Sequence, residues 1–166
     1  VQPGATTKIV TEARFLYGAP GADLDVEGEI IIQATKQLNL PGLDGYLAGL
    51  EDQEFETIKN DIEVPDNTDE KGRATVEVEI PDVDTTRPLE AKIVLRVSES
   101  GGRAVERTVT LPVRPNKSLI ALRKNFTELR EDSNAQFNVL ALNASGDRVA
   151  ARGLRWTLSR VSNNYQ

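Results

Sequence analysis

The sequence contains no cysteine and no histidine. Without cysteine there is no thiol nucleophile and no disulfide, and without histidine there is neither a Ser-His-Asp triad nor a Cys/His zinc site. Catalysis would have to depend on carboxylates, serine, lysine or tyrosine alone, and no constellation of these residue types stands out. The sequence therefore predicts a chain that is not an enzyme, with no catalytic residues, no cofactor and no metal site.

Long hydrophobic runs and aromatic residues are also scarce. No apolar run, including Ile30-Ile31-Ile32, exceeds four residues, which is far short of the roughly 20 residues that a membrane-spanning helix needs. Aromatic residues make up 5% of the chain, whereas all hydrophobic residues together make up 39%. This composition supplies a packed core but no membrane span, and it offers few aromatic platforms for a sugar.

Charge is divided unevenly along the chain, whose formal net charge is −6. Up to Pro115 there are 12 basic and 22 acidic residues, a net charge of −10, and from Asn116 onward there are 8 basic and 4 acidic residues, a net charge of +4. The basic part lacks the dense cluster of lysine and arginine interleaved with aromatic residues that is typical of nucleic-acid-binding proteins. We therefore expect no nucleic-acid partner.

Alternation of apolar and polar residues dominates the sequence. Residues 75–80 place valine or isoleucine at every second position with glutamates between them, which is the pattern of a strand with one face in water. Residues 89–99 and 103–113 repeat the alternation on either side of a Ser-Gly-Gly sequence at 100–102. Adjacent glycines supply the positive φ that a tight turn requires, so these two segments are predicted to form an antiparallel hairpin.

The stretch 38–50 is the least regular part of the first hundred residues. Its Leu43, Tyr46, Leu47 and Leu50 have helical spacing, but the glycines among them weaken so short a helix. The pattern favours a long loop whose apolar residues cap the rim of a sandwich.

About six strands separated by glycine, proline and polar turns predict an all-β fold, an antiparallel β-sandwich of fibronectin- or immunoglobulin-like architecture. Pro115 ends the last of these strands, which indicates a domain junction at residues 114–116. The residues that follow supply roughly three strands, about half of what a complete sandwich needs. The sequence therefore predicts one complete domain over residues 1–115 and a truncated second sandwich over residues 116–166.

Two acidic stretches could be mistaken for sites. Residues 65–72 are rich in acids, but their spacing does not match a calcium loop and Lys71 interrupts them, so a solvated turn is the favoured interpretation. Asp82, Asp84 and Glu90 could pair as hydrolytic carboxylates, yet nothing marks them as buried, and a surface loop is favoured.

Trp156 is the only tryptophan, and it lies in a segment of regular alternation with Leu154 and Leu158 on the same face. A strand tryptophan contributes mainly through burial, so Trp156 is predicted to be a structural core anchor of the second sandwich. The alternative is a platform on which a sugar stacks.

Several segments resemble bacterial α-2-macroglobulins. Residues 13–29 (ARFLYGAPGADLDVEGE) resemble a strand, turn and strand that open a macroglobulin-like domain of that family. Residues 103–107 and 111–113 resemble the last strand of the same domain. Residues 153–161, followed by residues 165–166, resemble the start of the region next to the bait segment. The order and spacing of these segments extend the resemblance over nearly the whole chain.

The resemblance implies a macroglobulin-like β-sandwich that serves as a non-catalytic scaffold module in a broad-spectrum protease inhibitor. In that family a protease cleaves an exposed bait, the domains rearrange to trap it, and in many members a thioester bonds to it. The bait region and the thioester are not present in this fragment, which has no cysteine. The implied partners are neighbouring macroglobulin-like domains of the same chain and, through the whole protein, proteases.

The resemblance also implies a location in the periplasm or cell envelope, with membrane anchoring only through an N-terminal lipid that this sequence lacks. A different class of function remains open, namely an adhesive or carbohydrate-binding β-sandwich module of a large cell-surface protein. That alternative needs exposed aromatic residues on a concave face, and the low aromatic content disfavours it.

Overall fold

The computed structural model describes residues 1–38, 40–114 and 117–159. Within these ranges all regular secondary structure is β, and no helix able to cross a membrane occurs. Ten strands follow in chain order: β1 (Thr6–Glu12), β2 (Asp25–Ala34), β3 (Leu47–Ala48), β4 (Ile58–Asp61), β5 (Arg73–Glu79), β6 (Leu89–Ser98), β7 (Val105–Val113), β8 (Leu119–Lys124), β9 (Phe137–Leu142) and β10 (Arg148–Val149). Every strand pair is antiparallel, which confirms the predicted all-β, antiparallel fold.

The strands form three sheets, with the orders β1-β5, β4-β2-β6-β7 and β10-β9-β8-β3. The first two sheets face each other and enclose the larger core. Along β5 the side chains of Ala74, Val76 and Val78 are buried and those between them are exposed, as the alternating pattern predicts. The buried members of this core are Ile30, Ile32, Val76, Val78, Ile80, Leu89, Ala91, Ile93, Leu95 and Val113. We refer to this pair of sheets as the first sandwich.

The predicted hairpin is confirmed as β6 and β7, which pair from Leu89 opposite Val113 to Val97 opposite Val105. The turn between them includes Gly101, whose φ is 73°. A positive φ of this size strains residues that carry a Cβ atom, so the glycine at this position favours the turn that sets the register of β6 and β7.

The chain leaves the first sandwich after β2 and returns to it at β4. Of the residues between these two strands, residues 35–50 reach the third sheet, where Leu47 of β3 pairs with Leu122 of β8. We call residues 35–50 the crossover arm. A bridge between Gln37 and Leu47 closes the arm on itself. The described residues of the arm contain no helix, which agrees with the predicted loop.

The apolar residues of the crossover arm do not cap the first sandwich, and that prediction is wrong. Leu38, Leu43 and Tyr46 are buried in a second core together with Ala121 and Leu142, which belong to β8 and β9. The physical reason is that the sheet containing β8 and β9 has an apolar face beyond the rim of the first sandwich, and these side chains are buried against that face. We call this second core and its sheet the second unit.

The two units are in close contact at the end of β7. Pro88, Pro112 and Val113 of the first sandwich face Leu119 and Leu142 of the second unit across a gap of about 10 Å³. Arg114 adds a hydrogen bond, its Nη1 donating to the carbonyl of Ser145 over 2.9 Å. Among the described residues one ion pair joins the units, between exposed Lys117 and Asp84. Exposed pairs contribute little, so apolar packing and the continuous chain of the crossover arm hold the units together.

The described residues cover the second unit on one face only. The other face of its sheet exposes Ile120, Leu122, Phe137 and Val139 by 42 to 48%. Trp156 lies outside the strands and is 86% exposed within the described residues, and its role as a core anchor of a complete second sandwich stays a prediction. Burial of a strand tryptophan needs an opposing sheet, and the described residues place none over this segment.

Three predictions involve residues outside the described ranges. The predicted junction at residues 114–116 includes Pro115 and Asn116, and the segments resembling the bait neighbourhood include residues 160, 161, 165 and 166. The division into residues 1–115 and 116–166 stays a prediction. It does not coincide with the sheets, because β3 of the first range pairs with β8 of the second.

Candidate functional site

The acid-rich residues 65–72 form a turn that is closed by its own backbone. The carboxylate of Asp69 accepts hydrogen bonds of 2.8 Å from the backbone N–H groups of Lys71 and Arg73. Both bonds hold the pKa of Asp69 below its ordinary value, and the bond from Arg73 contributes most to this shift. Its oxygens are therefore used to shape the turn. No group of three or more acidic residues suited to a metal ion occurs in the described ranges.

Thr68 fixes this turn against the preceding loop. Its buried hydroxyl donates to the carbonyl of Gly21 over 2.7 Å and accepts from the N–H of Leu24 over 3.0 Å. The alternation and spacing of the sequence do not predict this role of Thr68. The available signal is a threonine inside a polar turn, whose hydroxyl commonly forms hydrogen bonds with nearby backbone groups.

Replacing Thr68 with valine should lower the free energy of unfolding by about 1–3 kcal/mol, because the shape is kept while two buried backbone groups lose their partner. Urea denaturation would measure the change. Thr75→Val on the exposed face of β5 is the matched control, expected to stay within about 0.5 kcal/mol. Equal effects of the two substitutions would show that the Thr68 hydroxyl does not hold the loops together.

The three carboxylates weighed as a hydrolytic group have separate contacts. Asp84 is exposed and pairs with Lys117. Glu90 lies on β6, where its Oε1 accepts a hydrogen bond of 2.6 Å from Gln33 and lies 3.5 Å from the Nζ of Lys92. Asp82 is exposed between β5 and β6. The surface-loop interpretation agrees with Asp82 and Asp84, which are exposed outside the strands, but not with Glu90, which is a half-buried residue of β6.

The strongest charge cluster of the first sandwich lies on the outer face of its four-stranded sheet. Glu29 of β2 is buried, and its two carboxylate oxygens contact Lys59 Nζ at 2.8 Å and Arg96 Nη2 at 3.1 Å. Arg96 Nε also contacts Glu106 at 2.9 Å, so the cluster joins β4, β2, β6 and β7. The hydrogen bond from Lys59, followed by that from Arg96, lowers the pKa of Glu29. The cluster ties four adjacent strands together.

The lowered pKa of Glu29 makes the stability of the first sandwich depend on pH. The ion pairs contribute fully above the ordinary glutamate pKa of 4.5, and their contribution is lost as the pH falls through the lower pKa of the folded state. Glu29→Gln should therefore be less stable than the wild type near neutral pH, and this difference should shrink in acid. Urea midpoints over a pH series would measure it.

Glu79→Gln provides the control for that series, because Glu79 is exposed on β5 and has no ion pair in the described ranges. Its pH profile should run parallel to that of the wild type. A constant gap between the wild type and Glu29→Gln at every pH would contradict the assigned role of Glu29.

The feature with the clearest consequence for function is the joint, which we define as the crossover arm together with β8 and β9. Tyr46 is its central side chain, 6% exposed, with the guanidinium of Arg123 4.8 Å from the centre of its ring. At the base of the arm, the N–H of Leu50 donates to the hydroxyl of Thr86 over 3.1 Å, and Lys36 pairs with Glu51 at 2.6 Å. The joint can therefore set the orientation of one unit relative to the other.

Two family models match the chain one after the other. Residues 1–115 match the bacterial alpha-2-macroglobulin MG5 domain, and residues 121–166 match bacterial macroglobulin domain 6. The first sandwich lies within the first match, and β9 and β10 lie within the second.

Curated relatives give the same family. The chain is 27% identical over 180 aligned residues to alpha-2-macroglobulin of Escherichia coli strain K12, covering 98% of this chain and 11% of the relative. It is 26% identical to alpha-2-macroglobulin of Xylella fastidiosa strain Temecula1, covering 95% of this chain and 10% of the relative. The chain thus spans about a tenth of the length of the curated relatives it matches.

Solved structures share the fold. A Salmonella alpha-2-macroglobulin variant superposes with a TM-score of 0.72 at 24% identity, covering 91% of this chain and 11% of that one. Escherichia coli alpha-2-macroglobulin activated by porcine elastase gives a TM-score of 0.64 at 25% identity, covering 88% and 13%. One family model alone covers more than half of the sequence, and the protein therefore belongs to the bacterial alpha-2-macroglobulin family.

Proposed function

We propose that this chain is a non-catalytic scaffold module of a protease inhibitor that traps proteases after a bait segment is cleaved. The observation that carries the proposal is the joint: two macroglobulin domains match in tandem, and the crossover arm of the first completes the sheet of the second. A trap needs walls that keep their shape while other parts move, and domains joined by a packed interface pivot less than domains joined by a bare linker.

The fold of the chain occurs in two states of one relative. The chain superposes on the native conformation of Escherichia coli alpha-2-macroglobulin with a TM-score of 0.62 and on its elastase-activated form with a TM-score of 0.64. Both superpositions cover nearly nine-tenths of the chain, so each includes parts of both units. A scaffold module is expected to keep its fold in both states.

The residue content fits a scaffold rather than a catalyst. The chain has no cysteine or histidine, and its buried polar side chains, Glu29, Thr68 and Thr85, lie in structural contacts or short turns. Neighbouring macroglobulin domains are the partners we propose for direct contact, and proteases are partners only through the complete inhibitor. We place the complete inhibitor in the periplasm or cell envelope, following the resemblance of its sequence to family members found there.

Limited proteolysis of the full-length protein tests the proposal. Several unrelated proteases would be added in turn, with cleavage sites mapped by mass spectrometry and the products run on a sizing column. We expect cleavage concentrated shortly after residue 166, compaction of the inhibitor and retention of the protease, with residues 1–159 left uncut. The isolated 166-residue chain is the control and should leave protease activity unchanged.

Scattered cleavage without compaction or retained protease would remove the inhibitor function and leave an adhesive or purely structural sandwich. Inhibition by the isolated chain would contradict the scaffold role in a different way, because it would place a protease-binding site within these residues.

A further inference from the structure

The two sheets of the first sandwich differ in width. The sheet β1-β5 has two strands, whereas the facing sheet β4-β2-β6-β7 has four. β5 and β1 cover β2 and β6 but leave part of β7 uncovered. As a result, two inward-facing side chains of β7 are exposed, Val109 by 42% and Val105 by 59%. These two valines share a face with Ile93 and Val97 of β6, so they belong to the core side of the sheet.

A groove of about 550 Å³ opens where β1 ends above β6 and β7. Its floor includes Leu95, Val97 and Val105, and its roof includes Thr11 and Phe15. Leu16, fully exposed beside the stacked rings of Phe15 and Tyr17, stands at its rim. The floor of the groove is therefore apolar at Leu95, Val97 and Val105, with Arg107 on the same face of the sheet, and an apolar tip borders it.

The outer edge of β1 can accept another strand. Ala13 donates its N–H toward the β5 side, to Gly72. Because backbone direction alternates along an antiparallel strand, Thr6, Lys8, Val10 and Glu12 point their N–H and C=O groups away from β5. In the described ranges β1 pairs with β5 alone, so this row of donors and acceptors is unpaired within the sheet.

Charge at the groove has an excess of arginine. The lining contains Arg14, Arg103 and Arg107 against Glu12 and Glu99. Arg14 is neutralised by Glu12, with Nε and Oε1 2.6 Å apart. Arg103 and Arg107 belong to no ion pair among the described residues. In a chain whose net charge is −6, this is a local basic border on an apolar groove.

We propose that this groove binds an extended acidic segment of another polypeptide, which adds to the outer edge of β1 as a third strand. Strand addition supplies backbone hydrogen bonds, and alternate apolar side chains would cover Val105 and Val109. Carboxylates of the segment would pair with Arg103 and Arg107. The proposal is independent of the protease-trapping function, since it depends on the first sandwich alone.

The probe for this site is a fluorescein-labelled peptide with the sequence ATVEVEI, residues 74–80, of which residues 74–79 belong to β5 and already pair with the inner edge of β1. Fluorescence anisotropy would measure its binding to the 166-residue chain. We expect saturable binding that weakens as salt is added, and binding at least about tenfold weaker for a peptide with lysine in place of both glutamates.

Two variants locate the binding. Val105→Glu puts a charge on the groove floor and should weaken binding at least about fivefold, whereas Val149→Glu, a similarly exposed valine on the second unit, should change it less than about twofold. Arg103→Glu with Arg107→Glu should reverse the preference between the two peptides. Circular dichroism melting curves that match the wild type would show that the variants are folded.

Absence of saturable binding by either peptide would overturn the proposal. So would binding that none of the groove variants changes, because the peptide would then occupy another surface. If the chain elutes as a dimer that Val105→Glu dissociates, and the peptide does not bind, the occupant is a second copy and the proposed acidic partner is wrong.

Discussion

Gly72→Ala is expected to destabilise the first sandwich by roughly 2–5 kcal/mol. Gly72 has a φ of 74°, where a residue with a Cβ atom is strained. A Cβ at this position would also lie 2.4 Å from the carbonyl oxygen of Ala13 and 2.9 Å from the nitrogen of Gly21. Both are backbone atoms that cannot turn aside, so the loop held by Thr68 would have to separate from residues 13–21.

Gly101→Ala is the matched control for that measurement. Gly101 has nearly the same φ, 73°, but its Cβ would meet no heavy atom within 4 Å. Alanine there should cost only the conformational term, about 1–2 kcal/mol. Urea denaturation of both variants separates strain from collision, and a Gly72→Ala loss no larger than that of Gly101→Ala would show that the two loops are not packed as described.

Tyr46→Ala is expected to have the largest effect on the second unit, a loss of roughly 3–5 kcal/mol in its local stability. The residue lies far from β8 and β9 in sequence, yet its ring is buried with Leu142 and Ala121 and lies under Arg123. Removing the ring leaves a cavity in a core that has five buried members. Hydrogen exchange of β8 and β9 should therefore accelerate strongly, while β6 exchanges at nearly its wild-type rate.

Tyr17→Ala is the control, since Tyr17 is 79% exposed at the tip of the loop before β2. It should leave exchange in β8 and β9 unchanged. If Tyr46→Ala also leaves exchange there unchanged, the crossover arm does not contribute to the second core.

Local patterns predicted some elements well, and the reason is physical. The β6–β7 hairpin follows from alternation within each strand and from a turn with the required glycines, all within 25 consecutive residues. The burial of Val76 and Val78 likewise follows from the period of a single strand. In these cases the information that fixes the structure lies near the residues concerned.

The crossover arm could not be predicted in the same way. Nothing local to Leu43 or Tyr46 specifies which sheet they cover, because their partners lie on strands that begin at Leu119. The sequence signal is a surplus of apolar residues in a glycine-rich loop. This signal predicts that the residues are buried, but it does not specify whether the first sandwich or a later sheet buries them. A division of the chain at residue 115 misses the arm for the same reason.

Glu29 and Trp156 show two further limits. The alternating pattern of β2 favours an exposed position for Glu29. The residue is nevertheless buried, because Lys59 and Arg96 from the two neighbouring strands pair with its carboxylate. Trp156 has the sequence pattern of a core residue, but burial depends on a covering sheet that the described residues do not provide. In both cases the outcome is set by the neighbours a strand acquires.

Orientation of the two units in solution tests the central claim, that the crossover arm makes this chain one rigid scaffold. Residual dipolar couplings would be measured for backbone amides of β2 and β6 and of β8 and β9 in the isolated chain. The account predicts that a single alignment tensor fits both sets. Two tensors of different magnitude, showing units that reorient independently, would contradict it.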